Sequence, residues 1–167
     1  MPYETTIISN SVEQANSLAL PKFNGLLQVS QIDSTVPFHI ATVSRNISAG
    51  QVQLIAALTC KLTCMCAEVL RGHQSSDGLE SLMNTDCLTK LTTYSSLIRD
   101  YIVALPDYGG LYASPYPPSP QFIDGMFTDE QHFAATVLLM FGDFQCWCTL
   151  SFTSTEQQWR CSTADIG

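Results

Sequence analysis

The residues best equipped for chemistry in this chain are its seven cysteines: Cys60, Cys64, Cys66, Cys87, Cys146, Cys148 and Cys161. Cys60 and Cys64 are spaced to share one face of a helix, and Cys146 and Cys148 to share one face of a strand. Four thiolates from a helix and a strand that meet would suit tetrahedral zinc, so these four are the metal candidates. Neither spacing is that of a turn-borne zinc knuckle, and both pairs alternate with apolar residues. Buried, unligated thiols packing as small hydrophobes are therefore expected, with no metal and no cofactor. An odd number of cysteines without a secretory leader reads as reduced thiols.

A cysteine nucleophile needs a neighbouring histidine and an orienting acid. The histidines are His39, His73 and His132, and no spacing sets one beside a thiol. The chain has no G-x-S-x-G elbow, no G-x-x-x-x-G-K-[ST] loop and no G-x-G-x-x-G. Asp129 and Glu130 stand at an expected helix start, where the helix dipole stabilises acids without catalysis. No catalytic residue is assigned. The best interaction candidate is the Pro/Gly/Tyr-rich segment 106–127. Its Tyr108, Tyr112, Tyr116, Pro117 and Pro118 combine large contact area with a stiff backbone and predict a protein-binding loop.

Strands are expected at 3–8, 26–32 and 38–43, and a short helix at 11–20 ending at Pro21. Ser48-Ala49-Gly50-Gln51 is a capping-box pattern opening a helix apolar nearly all round, which Gly72 closes. Leu79, Leu82, Met83, Cys87, Leu91, Tyr94 and Ile98 repeat at helical spacing, with Asn84-Thr85-Asp86 as a break from which a longer helix can start. Thr128-Asp129-Glu130-Gln131 reads as another capping box, opening a helix through Phe133, Val137, Leu138 and Phe141. Residues 144–152 alternate as a strand: Phe144, Cys146, Cys148, Leu150 and Phe152 lie on one side, Gln145, Trp147, Thr149 and Ser151 on the other. The tail 154–167 reads as polar and irregular. These elements predict one α+β domain over 1–167. Its core is a central buried helical hairpin (about 50–71 and 77–105) plus a third helix (about 129–141). A small, mainly antiparallel sheet from the N-terminal strands and strand 144–152 packs on them.

Charge narrows the function. Only 13% of residues are charged, yet the net charge is −8; ordinary globular sequences carry ~25% charged residues. No Lys or Arg falls between Arg99 and Arg160. Scattered bases on an acidic chain do not make a phosphate-neutralising surface, which excludes a nucleic-acid binder. The most apolar run, 52–70, is interrupted by Lys61 and Glu68 and reads as a core helix, not a membrane span. Residues 1–30 lack the basic-then-apolar pattern of a cleavable leader, so a cytoplasmic or particle-assembled protein is expected. A surface kept soluble by hydroxyls and amides tolerates contact with neighbours. The expectation is a non-enzymatic structural or assembly subunit of a multi-copy complex, homo- or hetero-oligomeric. Its most concrete form is a virus-particle component, a minor capsid or cementing protein. The alternative is a small α+β enzyme or ligand-binding domain with a Cys/His-containing pocket.

Overall fold

The computed structural model describes residues 4–13, 20–30, 34–104, 109–156 and 158–167. Three strands come first: β1 (Thr5–Glu13), β2 (Lys22–Val29) and β3 (Ser34–Thr42). Helices α1 (Ala49–Leu70) and α2 (Thr85–Ala104) follow, and then β4 (Ser119–Phe127), β5 (His132–Phe141), β6 (Phe144–Thr155) and β7 (Gln158–Ile166). The strands form one seven-stranded sheet in chain order. Neighbours are antiparallel except β3 and β4, which run parallel. Parallel neighbours need a long crossover, and the helices supply it.

The helix α1 forms where its apolar run and end signals agree. The Ser48 hydroxyl accepts from the Gln51 N–H at 3.2 Å, and the Gln51 carboxamide accepts from the Ser48 N–H at 2.8 Å, closing the capping box. At the other end Gly72 takes φ +73°. His73 N–H then donates to the Glu68 carbonyl and Gly72 N–H to that of Val69, a Schellman ending. Because α1 is apolar on most sides it needs cover on most sides. The sheet curls round it as a half-barrel, with α1 touching both edge strands, β1 and β7, and α2 closing another flank. By length and composition α1 is the one helix among the described residues able to cross a bilayer, and 67% of its most apolar window is buried in the fold. Arg71 clamps its end. The guanidinium donates to Glu68 at 2.7 Å and to the Ser114 carbonyl, and sits 5.0 Å over the Phe141 ring.

The expected small sheet and three helices are overturned by this architecture. Residues 129–141 are a hairpin loop followed by β5. Gln131 N–H donates to the Asp129 carboxylate at 2.7 Å, an Asx-type turn, not a helix cap. Phe133, Ala135, Val137, Leu139 and Phe141 all face the core, a period of two that outweighs the helical spacing of Phe133, Val137, Leu138 and Phe141. Nor is there a buried hairpin of 50–71 and 77–105. The second helix starts at Thr85, capped by the Asn84 carboxamide on Cys87 N–H at 2.8 Å, and buries only Cys87, Leu91 and Ser95. Residues 76–79 form a separate turn of 3-10 helix. Segment 106–127 is not one loop, since β4 occupies its second half, with Pro120 next to a bulge. The tail is β7, whose alternation is hidden by a bulge between the pairs Ser151–Thr163 and Phe152–Cys161. β1 continues through Glu13, where a helix from Ser11 was expected; the rest of that expected helix, 14–19, lies outside the described residues.

Candidate functional site: the open face of the sheet

Both helices pack on one side of the sheet, and no described element covers the other. On that open side register brings residues far apart in sequence into rows. Leu26 pairs with Pro37, and Phe122 with Leu138, which pairs with Trp147. Pro37 and Phe122 each precede the first β3–β4 pair, Phe38–Ile123. The result is an apolar row across β2 to β6, ending on Trp147, which is 52% exposed. The adjacent row is polar: Asn24, His39, Asp124, Thr136, Thr149 and Asp165 are successive partners from β2 to β7. A third row holds Lys22, Ala41, Met126, Ala134, Ser151 and Thr163. Between Phe133 and Thr153, the outward positions of β5 and β6 are Ala134, Thr136, Leu138, Met140, Gln145, Trp147, Thr149, Ser151 and Thr153, none of them charged.

Within the polar row His39 Nδ1 lies 2.8 Å from an Asp124 carboxylate oxygen, across the parallel seam of β3 and β4. The pair edges a shallow hollow of about 350 Å3 with Met126, Thr136 and Thr149. Neither threonine hydroxyl bonds to the His–Asp pair, so the pair activates no nucleophile among the described residues. Open to solvent, it offers a donor and an acceptor for recognition. No family model matches the chain, and no curated protein or solved structure is significantly similar to it.

The sequence-derived candidates lie elsewhere. All seven cysteines are free and buried, coming from α1, α2, β6 and β7. Cys146 and Cys148 sulfurs are 3.6 Å apart. Hydrogen bonds to Cys60, Cys146 and Cys87 raise the pKa values of Cys64, Cys148 and Cys161 respectively, and burial adds to each; burial alone is the main cause for Cys66. The zinc candidates Cys60, Cys64, Cys146 and Cys148 do not form a metal-holding group; none of three or more His, Cys, Asp or Glu occurs among the described residues. Each histidine pairs with a carboxylate instead of a thiol: His39 with Asp124, His73 with Glu68 at 3.3 Å, His132 with Asp129 at 2.8 Å.

The Tyr/Pro segment is divided. Tyr108 lies outside the described residues. Tyr112 donates to the Ile166 carbonyl at 3.3 Å, and Pro118 is buried. Tyr116 and Pro117 are exposed, with the Tyr116 ring over the turn at Gly142. A second apolar surface, Tyr94, Leu97, Tyr101 and Val103, stands on the outer side of α2. Sequence reasoning found the outward Trp147 but missed Leu26, Pro37, Phe122 and Leu138 as its companions. Strand alternation marks each as outward, but only register makes them a row.

Proposed function

We propose that this chain is a non-catalytic assembly subunit of a multi-copy complex, and that its open sheet face packs against the same face of a second copy. The observation that carries this reading is the apolar row from Leu26 to Trp147, with no charged outward residue beside it on β5 and β6. A net charge of −8 opposes self-association, but the repulsion is weakest where the meeting surface carries no charge. Away from the apolar row the face carries both signs, Lys22 and Arg160 against Asp124 and Asp165, which allows a self-complementary, isologous contact. The concrete form of such a subunit is a shell or cementing component of a particle.

Sedimentation velocity across micromolar concentrations tests this. A concentration-dependent dimer or larger species is expected. Trp147→Asp sets a charge at the exposed end of the apolar row without touching the core, and should leave a folded monomer. Tyr101→Ser, on α2, should leave assembly unchanged. A wild-type protein that stays monomeric throughout overturns the reading, as does an assembly lost in Tyr101→Ser and kept in Trp147→Asp.

A further inference from the structure

On the helical side, far from the open sheet face, the chain leaves α1 through Gly72, and α2 passes over the residues that follow. Between them lies a hollow of about 660 Å3, within the range of small-molecule sites. Two of the seven Lys and Arg side chains, Arg71 and Arg99, belong to its lining with His73, and no Asp or Glu does, although the chain has fifteen. Three donor side chains that face it, Gln74, Ser76 and Arg99, hydrogen-bond to nothing among the described residues. The Arg99 guanidinium lies close over Gly72, its Nε 3.8 Å from where a Cβ would stand. The nearby Glu68 carboxylate is occupied by Arg71 at 2.7 Å and His73 at 3.3 Å, and so does not neutralise Arg99.

The wall on α2 has the opposite hydrogen-bonding character. Thr92 donates its hydroxyl proton to the Leu88 and Thr89 carbonyls at 3.1 and 3.0 Å, and the Ser96 hydroxyl donates to the Thr92 carbonyl at 3.3 Å. With those protons committed, the Thr92 and Ser96 oxygens present only lone pairs to an occupant. Donors suited to an anion thus stand beside acceptors suited to hydroxyl groups. We propose that this hollow binds a phosphorylated sugar or polyol, its phosphate on Arg99, Gln74 and Ser76 and its hydroxyls on the Thr92 and Ser96 oxygens.

Calorimetric titration of the full chain with ribose 5-phosphate, inorganic phosphate and ribose tests the proposal. Ribose 5-phosphate should bind, phosphate should bind more weakly, and ribose alone should give no heat. Arg99→Gln, at an exposed position, should weaken ribose 5-phosphate by roughly tenfold or more, the loss of a charge-assisted hydrogen-bonded pair. Thr92→Val should weaken ribose 5-phosphate and leave phosphate unchanged. Lys90→Gln, at an exposed position of α2 outside the hollow's lining, removes the same charge and should change nothing. Absence of heat from ribose 5-phosphate overturns the proposal. So does equal binding by the wild type and Arg99→Gln, or equal loss in Lys90→Gln, which would reduce the effect to overall charge. These heats are independent of whether the sheet faces associate.

Discussion

Gly125 sits on the inner face of β4, one residue after the Asp124 of the open-face polar row, and Phe133 fills the space its side chain would take. A Cβ built at Gly125 lies 2.5 Å from Phe133 Cζ and 2.8 Å from Cε2, where relaxed carbon contacts are ~3.5–4.0 Å. Gly125→Ala therefore forces the ring back by about 1 Å. The ring has little room, because Phe127 is 4.9 Å away, Phe152 is 6.1 Å away, and Phe133 is buried. Overpacking of this kind costs about 1–3 kcal/mol. Replacing a glycine inside a regular element recovers ~0.5–1 kcal/mol of backbone entropy. The net is a destabilisation of roughly 1–2 kcal/mol, a fall of about 2–8 °C in melting temperature for a chain of this length. Circular dichroism melting measures it. Phe133→Leu removes the obstructing edge, so the double variant should be more stable than the sum of the two single losses predicts. A melting temperature unmoved by Gly125→Ala, or strictly additive losses, would refute the packing argument.

Arg71→Leu should cost about 3 kcal/mol by leaving Glu68 and the Ser114 carbonyl without their buried donor, and Arg71→Lys should recover little because one ammonium cannot span both acceptors; urea denaturation measures both. Thiol titration of the native protein with a disulfide reagent should show Cys64, Cys66, Cys148 and Cys161 unreactive, since burial and thiol neighbours keep them protonated; all seven should react once the chain is denatured. The Gln131 N–H and His132 lower the pKa of the Asp129 carboxyl below its ordinary 3.8. A carboxylate lowered on folding contributes stability that is present above its unfolded value and lost as pH falls through its folded one. The melting-temperature gap between wild type and Asp129→Asn should thus be open at neutral pH and close in strong acid.

The parts legible in the sequence are those where local signals agree. Helix α1 has an apolar run, a capping box at Ser48 and a left-handed glycine at Gly72, and its observed ends fall within one residue of those expected. β6 alternates cleanly from Cys146 to Phe152, where the two faces fall as expected; Phe144, expected with the core-facing set, is 50% exposed at the start of the strand. β5 was hidden because its outward positions include Leu138 and Met140, which blurred the alternation of Phe133 to Phe141 and let helical spacing compete. β4 was hidden by Pro120 and Gly125, residues usually read as breakers, here at a bulge and under an aromatic ring. β7 was hidden by a bulge that shifts its phase. The apolar row and the hollow depend on register and on helix placement. Leu26 and Trp147, or Gln74 and Arg99, carry no mutual signal along the chain.

The parallel seam has a consequence for how the molecule is made. Antiparallel pairs β1–β2–β3 and β4–β5–β6–β7 join neighbours along the chain and can form soon after synthesis. The seam cannot: His39 meets Asp124 across 85 residues, and that closure entropy must be met before any of its hydrogen bonds return. Until β3 and β4 pair, each meander has a raw edge, at β3 or at β4, able to zip onto another molecule's. The long helical crossover that makes the parallel seam possible thus also delays it, and sets how long those two edges stay open during biogenesis.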